Sequence, residues 1–474
     1  MERTNTNHRP ASSNQSARKA RLRVGIFWLA VAALLLVPSL SLTGRAVQQT
    51  AADVPKLPSW SEQMRIRDSW LPKRYDMLLE MMRRHQIDMW IVVNEEFHDD
   101  PLTQYIAPPR PDTGARDIYV FIDTGEKGLK KVAIVGYWGE QLRRFFEVNE
   151  EAPATKVLPE LYATYQPKRI GLGIGGRRGV QHSLTHDAYL SLSDMFGPEA
   201  TSRFVSAADL IEEYLDTRIP EEFEYYQAMV KVTDSLAKRV FSNEAITPGK
   251  TTVGDLRRWM YDEIWKLSGR TWFQPDFRIY AKGVPTVLDR GYPAVAKEST
   301  VIERGQMLHI DMGITYMGFD TDWQRNAYVL REGERDAPEG LRRALSNSNA
   351  LQDALMIRAS RPGRTAGEVT AQAMKEMEGK PFEARIYCHP IGAQGHGLGT
   401  SIGYGHRPGS KRDPATMTNR LRKGSYITIE LNTETAIPEW DGQTVVMGLE
   451  DDAYLTDEGW KFFVPTEKSL YLIK

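Results

Sequence analysis

Two aspartates, Asp311 and Asp322, stand eleven residues apart in the stretch "HIDMGITYMGFDTDWQR" (309–325), which otherwise reads as apolar strand, turn and strand. A buried carboxylate without a partner costs several kcal/mol, so each aspartate requires a hydrogen-bonding partner or a cation. If the two arms pair with 311 opposite 322, their Cβ atoms lie about 4.5–5.5 Å apart on one face. Like charges at that spacing repel unless a cation sits between them. This register leaves Tyr316-Met317 as a two-residue turn, a poor choice for a tight hairpin. Gly318 is therefore expected to supply a positive φ in a longer loop. On the hairpin alone, a cation site and a pair of solvated aspartates stand as equal readings.

Three further stretches carry groups of the same chemistry. In "SYITIELN", Ile427, Ile429 and Leu431 fall on one face of a strand and Tyr426, Thr428 and Glu430 on the other. "VVMGLEDDAYLT" places Glu450 after an apolar run, and "GAQGHGLGTSIGYGH" brackets His396 between Gly395 and Gly397, so backbone can pack closely around an imidazole. Taken singly, each glutamate also reads as a strand-end charge and His396 as a loop histidine. Cys388 is the only cysteine, which excludes an intrachain disulfide, and beside His389 and Pro390 it reads as a small packed residue.

Positioning these groups requires a frame, and the chain repeats itself faintly in supplying one. "TPGKTTVGDL" begins at Thr247 and "RPGRTAGEV" at Arg361; each lies between two helical stretches. Asp311 lies 62 residues after Gly249, and Glu430 lies 67 after Gly363. Two similar halves facing each other would bring those acids to one central site. "PGKT" is not a phosphate loop, because Glu244 stands where its first glycine is needed.

Upstream, residues 60–215 alternate a helical pattern ("YDMLLEMMRRHQ") with β-rich runs ("IDMWIVV", "DIYVFID", "KKVAIVGYW", "RIGLGI"), which indicates an α/β domain. "GLGIGG" matches G-x-G-x-x-G through Gly171, Gly173 and Gly176 but leads into "RRGVQHS" rather than a helix, so a dinucleotide site is set aside. Pro220 suits position N1 of the long helix that follows, and the domain boundary is placed there, giving a second domain over 216–474.

The remaining segment is a leader. Residues 1–23 are polar and basic, and "VGIFWLAVAALLLVPSLSLTG" (24–44) carries no charge. This pattern fits a signal peptide over 1–46 or an uncleaved membrane anchor through 24–44, followed by a linker over 47–59. Either way the folded part is exported, to a periplasmic or extracellular location. A net charge of −1 gives no support for nucleic-acid binding.

In the order Asp311, Asp322, His396, Glu430, Glu450, with "IDMG", "GHGLG", "TIE" and "EDDAYLT" as the surrounding motifs, the chain resembles the pita-bread metallopeptidases, the superfamily of methionine aminopeptidase, aminopeptidase P, prolidase and creatinase. The two-domain layout and the "EDD" resemble the aminopeptidase P/prolidase branch. The resemblance implies an α/β (α+β) fold: a C-terminal pita-bread domain with pseudo-twofold halves over 216–474, after a smaller creatinase-type domain over 60–215. It implies two divalent ions on the five residues, with Asp322 and Glu450 bridging. Hard oxygen ligands with one imidazole suit Mn²⁺ and also admit Co²⁺, Zn²⁺ or Fe²⁺. The implied reaction is hydrolysis of an N-terminal peptide bond by a hydroxide between the ions, with Glu430 shuttling the proton. The implied substrate is a peptide, and homodimers are common in the branch.

The sequence departs from that branch around the substrate. Its histidine ahead of the first aspartate is missing from "GYPAVAKESTVIERG", and its arginine two before the final glutamate is Gly448. Its histidine seven after the ligand histidine falls on Gly403. His406, ten after His396, or His389 on the other side are the candidates for that role, and both also read as structural histidines. The metal ligands are therefore expected intact and the substrate contacts altered, leaving Xaa-Pro specificity open. A C–N hydrolase of creatinase type and a non-catalytic binding protein are the alternatives on the same fold.

Overall fold

The computed structural model describes residues 55–109, 113–136, 139–289, 292–404 and 417–474; the expected leader and His406 lie outside them. Among the described residues no helix is long and apolar enough to cross a membrane.

The β-rich runs of the first part pair into one mixed sheet. Its strands are Met89–Glu95 (β1), Arg116–Asp123 (β2), Leu129–Ile134 (β3), Glu147–Asn149 (β4), Ile170–Leu172 (β5) and Phe204–Ser206 (β6), in the order β4-β3-β2-β1-β5-β6. Side chains alternate between the two faces of a strand, and both faces here are apolar. Trp90, Val92, Tyr119 and Phe121 pack on Leu71, Tyr75 and Leu78 of the helix Trp60–Arg84. Met89, Ile91, Ile118 and Val120 pack on Val157 and Leu158 of the helix Ala154–Tyr165 and on Leu192 of the helix His186–Thr201. A sheet covered on both sides explains why these strands read as continuous apolar runs.

Pro220 opens a single 3₁₀ turn, Pro220–Glu222, and the helix proper runs Phe223–Val240, three residues later than expected. Beyond it Asp276–Tyr280 (β7), Met307–Met312 (β10), Trp323–Val329 (β13) and Tyr471–Ile473 (β21) form a four-stranded sheet in the order β21-β13-β10-β7. Leu288–Asp289 (β8) pairs with Tyr292–Pro293 (β9), and Thr315–Tyr316 (β11) with Phe319–Asp320 (β12). A seven-stranded sheet holds Glu383–Pro390 (β14), Ile402–Gly403 (β15), Tyr426–Thr428 (β16), Leu431–Ile437 (β17), Gln443–Leu449 (β18), Asp452–Thr456 (β19) and Gly459–Phe462 (β20). The two sheets join where the Gln324 N–H donates to the Glu450 carbonyl at 3.1 Å.

The faint sequence repeat is a structural repeat. Gly249 N–H donates to the Ile302 carbonyl and Gly363 N–H to the Leu421 carbonyl, each at 2.8 Å. Val253 and Ala366, the first residues of two matching helices, donate to Thr300 and Asn419 at 2.9 Å each. Both helices, Val253–Lys266 and Ala366–Lys375, start with a reciprocal cap: Thr252 with Asp255, and Thr365 with Glu368. Each copy thus clips a helix start to a segment that leads into one of the acid-bearing strands.

Because a threonine N-cap satisfies one orphan N–H, Thr252→Ala and Thr365→Ala should each destabilise the protein by about 1 kcal/mol. Chemical denaturation should show a lower midpoint at unchanged slope, with serine at either position restoring most of the loss.

Candidate metal centre

The site is built on the polar face of the four-stranded sheet. Leu308, Ile310 and Met312 of β10 enter the core beneath the helices Phe223–Val240 and Val253–Lys266, so alternation turns His309 and Asp311 the other way. Across the register, Asp276, Asp311 and Gln324 form one row and Arg278, His309 and Asn326 the next. Asp311 is therefore opposite Gln324, and the expected pairing with Asp322 is corrected. The turn decides this: Tyr316 pairs with Phe319, and the residues between them, Met317 and Gly318, both have positive φ, 56° and 77°. Two positive φ values make a type I′ turn. Centring the hairpin there slides the pairing by two positions, which preserves the face each side chain points to.

The carboxylates meet around one imidazole. His389 Nε2 lies 3.5 Å from Asp322 Oδ2, 3.5 Å from Glu450 Oε1 and 3.7 Å from Glu430 Oε2. One ligand atom each of Asp322, His389 and Glu450 lies within 4.8 Å of the others. Ile386 and Cys388 of β14 belong to the core of the second half, so alternation delivers Tyr387 and His389 to the site. His396, the expected imidazole ligand, lines the same cavity one step out, with its ring centroid 4.6 Å from that of His389. Its loop is tied to the hairpin by the Gly395 N–H, which donates to Asp320 Oδ2 at 2.8 Å. The strand face of "SYITIELN" is as read: Ile427, Ile429 and Leu431 are core, while the Thr428 hydroxyl donates to Glu450 Oε1.

Several groups that hold this cluster escaped the sequence reading. The Gln324 amide donates to Glu430 Oε1 at 2.8 Å and to Glu450 Oε2 at 2.9 Å. Its carbonyl accepts from the Tyr292 hydroxyl at 3.2 Å, and Asn432 donates to the Tyr387 hydroxyl at 2.9 Å. Asp452 accepts from Tyr226 at 3.0 Å and from the Asp322 N–H at 3.4 Å, fixing the backbone of that aspartate. The signal for Gln324 was present, since it shares the face of Asp322 two residues on. Tyr292 comes from a two-residue strand with no pattern of its own, whereas Tyr226 lies on the helix after Pro220 and Tyr387 on β14.

Two glycines show why the expected substrate residues are elsewhere. Gly403 has φ 107°, and a Cβ there would meet the Ile386 carbonyl oxygen at 1.9 Å, so no histidine can occupy it. A Cβ at Gly448 would meet the Tyr292 hydroxyl at 2.7 Å and the Gln324 amide oxygen at 2.8 Å, so the tyrosine–glutamine contact fills the space of a side chain.

Charge sets the chemistry. Burial, then the Glu450 charge, pushes Asp311 up to about 8 and raises Asp322 and Glu430 well above the usual carboxylate range. Burial alone would lower His389, yet its hydrogen bond to Glu450 and the Glu430 charge outweigh that and push it up to about 9. His309, buried beside Arg278, is pushed down to about 3 and is neutral. Four crowded carboxylates with one imidazole form a hard donor set short of positive charge, which fits divalent cations.

Comparison with known proteins gives this cluster a family. The sequence model of Metallopeptidase family M24 matches residues 224–457, the segment that contains every one of these acids. Residues 224–457 belong to metallopeptidase family M24. The chain is 24% identical over 396 residues to an Xaa-Pro dipeptidase of Pyrococcus horikoshii, an alignment covering 83% of this chain and 97% of the relative. It is 27% identical over 178 residues to a methionine aminopeptidase of Aquifex aeolicus, covering 36% of this chain and 64% of that relative. An X-Pro aminopeptidase of Thermotoga maritima superposes with TM-score 0.61 at 17% identity, covering 83% of this chain and 99% of that one. The fold is thus the pita-bread fold behind a smaller N-terminal α/β unit, and the M24 chain is a metallopeptidase of the aminopeptidase P/prolidase-like branch.

The M24 site predicts a pH signature for the metal-free protein. Asp311 binds its proton up to about pH 8 when folded, against 3.8 for the ordinary group, and His389 up to about 9 against 6.5. The native state therefore holds more protons than the unfolded one across this window, and stability falls as pH rises. Unfolding of chelator-treated protein should show a midpoint dropping from pH 5 to pH 9. Divalent cation, which binds the deprotonated ligands, should flatten the slope. A midpoint that climbs with pH contradicts the arrangement.

Proposed function

We propose that the protein is an exported, dinuclear aminopeptidase or dipeptidase that hydrolyses the N-terminal bond of short peptides, with Xaa-Pro peptides as the substrate class. The observation that carries this reading is the convergence of Asp322, Glu430 and Glu450 on His389 within 3.7 Å. Asp311, Asp322, Glu430 and Glu450 with an imidazole would hold two ions, Mn²⁺ foremost. When bound, such ions supply an activated water and polarise the scissile carbonyl.

The protein's own groups do the rest. Glu430 faces both the cavity and the cluster, and its carboxylate takes a proton from water and returns it to the leaving amine. Gln324 keeps an N–H on both Glu430 and Glu450, which holds their carboxylates in one orientation. Geometry favours His389 as the imidazole ligand and leaves His396 at the cavity wall to contact substrate; the sequence pattern favours the reverse. The Xaa-Pro assignment rests on the names of the relatives. The division into 60–215 and 216–474 is supported by a first sheet contained within 89–206 and a family match starting at 224. Export rests on the basic and apolar leader, and the mature N-terminus by sequencing should fall just after Ala46 if the leader is a signal peptide.

Asp322→Ala should lower metal affinity by more than about 100-fold, beyond what outer-shell substitutions cost, and abolish peptide hydrolysis. His389→Ala should lose metal, whereas His396→Ala should keep metal and lose turnover. The opposite pattern assigns the ligand to His396. A peptide library digested by the Mn²⁺-loaded protein should release N-terminal residues from short peptides with proline second; metal binding without any release would refute the peptidase reading.

A further inference from the structure

One buried cation at the metal centre has no part in the chemistry above. Phe277 and Ile279 of β7 pack into the core, so alternation turns Arg278 to the polar face that carries Asp311. Its side chain is only 9% exposed and is held by three contacts. Nε donates to the Pro293 carbonyl at 2.9 Å, Nη2 lies 3.8 Å from Asp276 Oδ2, and the guanidinium covers the Tyr292 ring at 4.7 Å.

One nitrogen is left over. Nη1 is buried without a hydrogen bond among the described residues and lies 3.7 Å from Asp311 Oδ2. Of the four acids of the centre, Arg278 pairs with Asp311 alone. Asp311 in turn stands outside the group in which Asp322, His389 and Glu450 lie within 4.8 Å of one another. The two sides of the centre therefore differ in kind. Around His389 the crowded carboxylates are eased by protons, which leave as a divalent cation arrives. Beside Asp311 the positive charge is a guanidinium, which does not lose its proton in a protein.

We propose that Arg278 is a permanent counter-charge for Asp311 that makes the two metal ions unequal. Asp322, His389, Glu430 and Glu450 take the first ion; the second, which needs Asp311, binds against a fixed positive charge that metal cannot displace as it displaces a proton. The inference rests on the dinuclear peptidase reading and deepens it, because Arg278 then sets how much free metal completes the site. At limiting metal the protein holds one ion, and Asp311 stays paired with the guanidinium.

The test is titration of the chelator-stripped full chain with Mn²⁺ by calorimetry, with paramagnetic resonance reporting when isolated ions become a coupled pair. Wild type should show two steps, the second weaker. Arg278→Gln removes the charge and keeps an N–H for the Pro293 carbonyl; it should tighten the second step at least about 10-fold and leave the first unchanged. The coupled signal should then appear at lower total metal. Arg278→Lys keeps the charge and should keep the wild-type ratio. A single step in wild type that becomes two in Arg278→Gln is the same result at its limit. Equal steps in wild type, a single step in all three proteins, or a second step that Arg278→Gln leaves unchanged or weakens overturns the proposal. So does a like change of both steps in Arg278→Gln and Arg278→Lys, which marks a packing role. The expected steps without hydrolysis of any peptide refute the peptidase reading alone; hydrolysis with equal steps refutes the role of Arg278 alone.

Discussion

Crowding of like charge at one buried point is the constraint on which the second half of the chain is organised. Asp322 and Glu450 are almost wholly shielded from water, and His389 lies within 3.5 Å of both. Glu430 and Asp311 press on the same point, and their carboxyls are driven toward the protonated form by burial and by Glu450. Neutral hydrogen bonds relieve only part of this: one Thr428 hydroxyl and one Gln324 amide serve Glu450. Such a cluster is stable with protons or with cations, and a metallopeptidase family supplies the reason for choosing cations.

Holding acids from distant parts of the chain at one point requires stiff supports, and duplication provides them twice. In each half a capped helix start is hydrogen-bonded to a segment that feeds a strand, with matching donor–acceptor pairs at 2.8 and 2.9 Å. The strands carry their apolar side chains into the core of their own half and their acids toward the other half. The Gln324–Glu450 contact, backbone and side chain together, is the seam, and it lies at the metal centre itself. Loss of the seam would loosen both sheets where the acids need to be fixed.

The acids and the duplicated frame were legible in the sequence because period-two alternation fixes which way a strand residue points. Asp311, Glu430 and the apolar faces around them follow from that rule alone. Register was not legible, because sliding the hairpin by two preserves the alternation; only the positive φ of Met317 settles it, and a non-glycine residue in that conformation leaves no pattern. The sequence offered two imidazoles for one cluster, His396 and His389, and both reach the cavity. His396 is conspicuous between its glycines, whereas His389 lies within the ordinary strand β14, where only the face it occupies marks it. Tyr292 comes from the short ribbon of β8 and β9, whose course is set by tertiary packing.

The same packing accounts for the departures around the substrate. A Cβ at position 448 would meet the Tyr292 hydroxyl at 2.7 Å and the Gln324 amide oxygen at 2.8 Å, so a side chain there would displace both groups. Glycine at 448 therefore goes together with the Tyr292–Gln324 hydrogen bond, and Gln324 in turn orients Glu430 and Glu450. Glycine at this position leaves room for the contact that braces the acids. Gly403 is closed to any side chain by the Ile386 carbonyl. With both positions bare, the cavity wall is left to the polar groups of other residues, among them Arg278, Tyr387, His396 and Ser401.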